Sequence, residues 1–215
     1  MTYSNHIAAL NELSASEGVF TTAQAARLGI TRNALSQAVA SGRAERIAHG
    51  AYRLAGSQSD FTDELAALWK LTDPAAFTHE RMQAGAWDGI VIGGSTAASL
   101  QNLGDFYLSP YRIYALRRIN SRAESASFAI RRVDPDDVSW IKGLPVTRPE
   151  RTLVDLCLDN EEWSLVEDTF SSASNLDYDR LVKIIAGQPE SKSVQESLSV
   201  IRGLMERHPY KERVG

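Results

Sequence analysis

The chain holds a single cysteine, Cys157, among its 215 residues. A disulfide framework within one chain is therefore excluded, as is a metal centre built on several thiolates. Cys157 sits inside an apolar run of helical period and reads as a buried structural thiol. No stretch approaches the roughly 18 consecutive apolar residues that a membrane-spanning helix needs. The opening residues MTYSNHIAAL have neither the basic start nor the apolar core of a secretion signal. The expectation is a cytoplasmic protein without a cofactor. Cationic excess is missing too, for the formal net charge is −4. Taken over the whole chain, that balance argues against nucleic acid as a partner.

The charge is unevenly spread, however. Residues 1–57 carry Arg27, Arg32, Arg43, Arg46 and Arg53 against Glu12, Glu17 and Glu45, a balance of +2 that leaves −6 for the remainder. A basic head on an acidic body is compatible with DNA binding through the head alone. The head also has the right pattern. Ile7, Leu10 and Leu13 recur at helical spacing over residues 3–17, and Gly18 ends that helix. Val19-Phe20 suggests a short strand. Thr22 precedes AQAARL and Thr31 precedes RNALSQAVASG, and threonine is a favoured residue at a helix start. Gly29 lies between the two, where a tight turn needs positive φ.

The second of these helices runs over about 32–41 and stops at Gly42. Leu35, Ala38 and Val39 share the inward face. Asn33, Ser36, Gln37 and Ala40 share the other, with Thr31 and Arg32 at its start and no acidic residue among them. A helix that enters the major groove needs such a face: Asn and Gln match adenine, Arg matches guanine. Residues 43–47 and 51–54 flank Ala48-His49-Gly50 as a hairpin, the wing of a winged helix-turn-helix. Arg43, Arg46, His49 and Arg53 are its candidate backbone or minor-groove contacts.

The small polar stretch AGSQSD over residues 55–60 predicts a domain boundary, giving a winged head over 1–57 and an α+β body over 58–215. In the body, Leu65, Leu68 and Trp69 predict the buried face of a helix. Ile90 to Ile92 predicts a strand, Gly93-Gly94 a turn, and Ser95 the cap of a following helix. Residues 111–116, 127–133 and 138–141 predict further strands. Thr147 and Glu150 have the spacing of a capping box, with a proline in the first turn. Helices follow to about Arg207, and the tail KERVG reads as loose. The fold class is α+β, a small sheet with flanking helices behind a winged head.

Three stretches resemble the AbiEi family, antitoxins and transcriptional regulators of bacterial type IV toxin–antitoxin systems. They are TTAQAARLGITRNALSQAVASGRAERIAHGAYRL, IVIGGSTAASLQNLG with the strand YRIYAL, and GLPVTRPERTLVDL. The resemblance implies a head that binds inverted repeats in the promoter of its own operon and represses it. It also implies a C-terminal domain that counters a nucleotidyltransferase-like toxin without needing a stable complex. Self-association on DNA would fit the sparse cations of one head. The DNA-contacting positions carried over are Arg32, Asn33, Ser36, Gln37 and the wing.

Catalytic patterns fare worse. Gly93-Gly94-Ser95 after an apolar strand is shared with nucleotidyltransferases, but strand 111–116 supplies no carboxylate pair for two metal ions. His79-Glu80 lacks the second histidine of a zinc protease, since residue 83 is Gln. Asp134-Pro-Asp-Asp137 reads as a solvated turn. The expectation is a non-enzyme. A nucleotidyltransferase-like enzyme with a winged appendage, or a protein-interaction module that ignores DNA, are the alternatives. The run from Arg112 to Arg151, including Arg122, has a local balance of about +4. Arg117-Arg118 and Arg131-Arg132 end neighbouring predicted strands there, a candidate second basic patch.

Overall fold

The computed structural model describes residues 3–83, 85–121 and 123–208. The tail expected to be loose and Arg122 lie outside the described residues. The chain divides into two compact units, one running to Asp88 and one from Gly89.

The first unit opens with α1 (Tyr3–Glu17), β1 (Phe20–Thr21), α2 (Thr22–Arg27) and α3 (Arg32–Ala40). The hairpin β2 (Ala44–Ala48) and β3 (Ala51–Leu54) follows, and the sheet order is β1-β3-β2. Leu10, Leu13, Phe20, Ala25, Ile30, Leu35, Ala38 and Ala44 form the core under the three helices. Ile7, expected on the inward face of α1, is 37% exposed at its margin. The α2 start is displaced by one residue from the expected Thr22. Thr21 is the cap: its hydroxyl accepts from the Gln24 N–H at 3.0 Å, and Gln24 Oε1 accepts the Thr21 N–H at 2.9 Å. This reciprocal box satisfies two donors that Thr22 alone could not. Thr31 caps α3 as expected, accepting from the Ala34 N–H at 3.2 Å. Gly29 between the helices has φ +77°.

This unit runs well past residue 57, where the sequence placed a boundary. The loop over 55–60 is exposed, but α4 (Asp63–Lys70) and α5 (Thr78–Arg81) fold back onto the head. Leu65, Ala67, Leu68 and Trp69 are buried, and Ala67 packs with Val19 and Ala51. Polar contacts complete the attachment. The Lys70 ammonium, held down in pKa by its burial, donates to the buried Glu17 carboxylate and to Thr78 Oγ at 2.7 Å. Gln24 Nε2 donates to the Ala76 carbonyl at 2.7 Å, and Arg81 stacks on the Trp69 ring at 3.8 Å. A composition shift marks the surface loop; the apolar face of α4 decides where the compact unit ends.

The second unit holds β4 (Val91–Ile92), α6 (Gly94–Leu100), β5 (Tyr111–Ala115), β6 (Ala126–Ile130), a 3-10 turn over Pro135–Asp137, β7 (Val138–Ile141) and β8 (Leu144–Thr147). Helices α7 (Pro149–Leu158), α8 (Trp163–Ser172), α9 (Tyr178–Ala186) and α10 (Lys192–Arg207) follow. The sheet order is β6-β5-β4-β8-β7, with β5 and β6 parallel and β4 antiparallel to β5. The whole is α+β, as expected. Leu153, Leu156, Phe170, Leu181, Ile184, Leu198, Ile201 and Leu204 pack the helices into one apolar cluster that includes Cys157. Burial pushes that thiol up to about 12, so it stays protonated.

Two expected caps are not formed. Gly93, not Ser95, precedes α6, because Gly94 turns at φ +53° and already belongs to the helix. At α7 the preceding residue is Arg148, with Pro149 first in the helix. Thr147 instead meets the Thr152 hydroxyl at 2.7 Å, and Glu150 accepts the Asp177 N–H at 2.8 Å. The capping-box spacing thus serves a buried framework between strand, helix and the start of α9. Leu144 to Thr147 forms a further strand inside the sheet, parallel to β4 and absent from the strands the sequence predicted.

Candidate nucleic-acid interface

Helix α3 buries Leu35 and Ala38 and turns Arg32, Asn33, Ser36, Gln37 and Ala40 outward, with Thr31 exposed at its start. The spacing of Leu35 and Ala38 against the core forces this, since side chains three and four apart share a helical face. The outward row is short-chained and free of carboxylates, so a polyanion meets no repulsion along it. Thr31 is committed to capping. It fixes the first turn of α3 by holding the Ala34 N–H.

The wing tip is a two-residue turn, His49-Gly50, with Gly50 at φ +90°. Arg46 and His49 are exposed there, and the Arg46 guanidinium donates to His49 Nδ1 at 2.6 Å. Arg43, at the exit of α3, donates through Nε to Ser41 Oγ at 2.9 Å. Arg53 does not join them. It is only 8% exposed and donates to Glu45 at 2.5 Å and to Asp63 at 2.7 Å. The antiparallel register sets Glu45 directly opposite Arg53, and Asp63 arrives with α4. Its guanidinium ties wing to α4 and is withdrawn from any ligand. Arg27 is also engaged, in a two-pronged pair with Glu80 at 2.6 and 2.7 Å above the Phe77 ring.

The basic patch expected on the second unit is only partly assembled. β5 and β6 are parallel, so Arg117-Arg118 and Arg131-Arg132 do follow the same ends of neighbouring strands. Arg117, Arg118 and Arg132 are exposed. Arg131 turns inward, donating to Asp155 at 3.1 Å, to Asp159 at 2.8 Å and to the Tyr114 hydroxyl at 2.9 Å. Arg112 and Arg151 are drawn into the same network, Arg112 by Asp159 at 2.8 Å and Arg151 by Asp155 at 3.0 Å. Burial pushes the Asp159 carboxyl up, but the hydrogen bonds from Arg112 and Tyr114 and the charge of Arg131 outweigh it and leave it below its ordinary value. Asp155 is fully buried and its pKa rises to about 6 despite Arg151 and Arg131. Sequence reading missed this network because its members are scattered from β5 to α7.

The network also packs closely against the Gly93-Gly94 turn. A Cβ at Gly93 would fall 1.9 Å from the Tyr114 ring, and one at Gly94 would fall 2.9 Å from Asp159. The β5 side chains beside this turn are Arg112 and Tyr114, not carboxylates.

Residues 8–55 match the family described as transcriptional regulator, AbiEi antitoxin. The match covers the α1–wing segment and ends at the outgoing strand of the wing. The head is thus similar to that of AbiEi-type regulators. No curated protein matches the chain. Among solved structures, the crystal structure of RV2827C protein from Mycobacterium tuberculosis is similar, with a TM-score of 0.58 and 16% identity over 95% of this chain and 78% of that one. That likeness reaches both units and is one of fold. Among the described residues no helix is long and apolar enough to cross a membrane.

Proposed function

We propose that this protein is a transcriptional repressor and the antitoxin of a type IV toxin–antitoxin pair. In this reading it binds inverted repeats in the promoter of its own operon and counters a nucleotidyltransferase-like toxin. The observation that carries the reading is the outward row of α3, acid-free and flanked by the wing, within the segment that matches the AbiEi regulators. Asn33 and Gln37 read adenine edges and Arg32 a guanine. Arg43, Arg46 and His49 hold phosphates or the minor groove and set the register. Arg117 and Arg118 of the second unit supply further phosphate contacts or meet an acidic partner.

The test is a fluorescence-anisotropy titration with the DNA upstream of this gene, against scrambled DNA, at several salt concentrations. With Arg53 withdrawn, the head neutralises about three phosphates, so its share of the slope of log affinity against log salt is about −3 per bound copy, and phosphate contacts from Arg117 and Arg118 steepen it. Gln37→Ala costs about 1–3 kcal/mol of discrimination against scrambled DNA. Equal affinity for both DNAs at every salt concentration refutes the repressor reading.

A further inference from the structure

Helix α3 has a hollow behind its outward row. Ala34 and Ala38, one turn apart on α3, face Ile7 and Leu10 of α1 across a pocket of about 280 Å³. Leu54, the last residue of β3, closes it. The alanine methyls are too short to fill the space between the two helices. Ile7 therefore stays 37% exposed, although the period of α1 points it inward. The pocket lies wholly within the first unit.

The polar groups of the lining are few and of one kind. Asn11 of α1, Gln37 of α3 and Arg43 beyond it complete the wall, and no carboxylate lines it. Two amides and one guanidinium donate hydrogen bonds, and the guanidinium adds a positive charge. A planar guanidinium matches a carboxylate, and one cation suits a single negative charge better than the double charge of a phosphate monoester. The remaining wall is aliphatic and gains by covering an apolar body. Small-molecule sites are built in this way, apolar with a few placed polar groups, from about 300 Å³ upward. This one holds about a dozen non-hydrogen atoms.

We propose that the pocket binds a small amphipathic carboxylate, its apolar body between α1 and α3 and its head group at Gln37 and Arg43, and that this binding releases the head from DNA. Gln37 and Arg43 are at once wall residues of the pocket and candidate DNA contacts. Held by a carboxylate, they are withdrawn from base edge and phosphate, so ligand and operator exclude one another. The antagonism is reciprocal: DNA weakens the ligand by the factor that the ligand weakens DNA. The binding site rests on the pocket alone, and the release from DNA rests on the repressor reading.

Isothermal titration of the full chain tests the site, with 4-phenylbutyrate and octanoate as probes and 4-phenylbutyramide as the uncharged control. Both carboxylates are expected to bind at one site per chain, and the amide about tenfold more weakly. Ala34→Leu fills the pocket from a good helix former and loses both carboxylates while keeping the wild-type urea midpoint. Arg43→Gln brings carboxylate and amide to equal affinity. In anisotropy, saturating 4-phenylbutyrate raises the operator dissociation constant of the wild type about tenfold and leaves that of Ala34→Leu unchanged. No binding of either carboxylate, equal binding of the amide by the wild type, or full binding by Ala34→Leu overturns the site. Binding that leaves operator affinity unaltered overturns the release from DNA. A chain that binds the carboxylates but no operator keeps the site and loses the repressor reading.

Discussion

At the residue scale, the wing shows two arginines of one hairpin with opposite fates. Arg46 is exposed beside His49, whereas Arg53 is buried between Glu45 and Asp63. Arg53→Ala leaves Asp63 without its cation in a largely enclosed place. Removing one partner of a fully buried pair costs about 3–5 kcal/mol, and Glu45 is half exposed, so a loss of about 2 kcal/mol is expected. Urea unfolding of the variant measures that loss, while operator affinity per folded molecule stays at the wild-type value. Arg46→Ala does the reverse, leaving stability in place and lowering the salt slope by about 1. If Arg53→Ala abolishes operator binding without destabilising the fold, the assignment of the two residues is inverted. Little of this was legible in the chain. Counting outward from the His49-Gly50 turn sets Glu45 opposite Leu54, and only the register shift between Arg46 and Ala48 brings it opposite Arg53. Asp63 is no more legible, because nothing in residues 55–60 shows that α4 returns to the wing.

At the element scale, β8 and α7 together carry the GLPVTRPERTLVDL stretch, and its polar residues are framework. Asp155 Oδ1 accepts from both Arg131 and Arg151, while its buried Oδ2 has no hydrogen-bond partner. Burial raises this carboxyl from an ordinary 3.8 to about 6. The folded state therefore holds the proton more tightly than the unfolded chain does. Between about pH 4 and pH 6 it binds more protons, so stability falls as pH rises through that window, by up to about 3 kcal/mol, and the loss is complete above it. Asparagine keeps the accepting oxygen and has no charge to bury. Asp155→Asn is thus expected to remove the fall, seen as a flatter urea midpoint for the second unit between pH 4 and pH 6. Parallel profiles for variant and wild type would mean that Asp155 is ionised throughout. Helical and strand periods showed these elements well, since α1, α3 and β7 lie where apolar spacing puts them. The caps at Ser95 and Thr147 were misplaced because their hydroxyl chemistry is ambiguous. A threonine beside a helix start can satisfy the helix or, as Thr147 does with Thr152, the packing across it.

At the scale of the whole molecule, the unit that ends at Asp88 makes the winged head larger than its motif. Glu17, at the end of α1, has a side chain only 2% exposed, and its carboxylate is met by Lys70 and by the Thr78 hydroxyl at 2.7 Å. A fragment cut after residue 57 keeps every candidate DNA contact of the head but leaves Glu17 without its cation. It also uncovers Val19 and Ala51, which α4 otherwise buries. Such a fragment has too small a core to offset the loss of backbone entropy on folding. A fragment of residues 1–88 retains both the ion pair and the apolar cover. The expected outcome is a cooperative melt and operator binding for 1–88, and a broad, weakly helical melt without operator binding for 1–57. Circular dichroism and anisotropy read the two directly. Equal behaviour of the fragments would mean that α4 and α5 merely rest on a head that is stable without them.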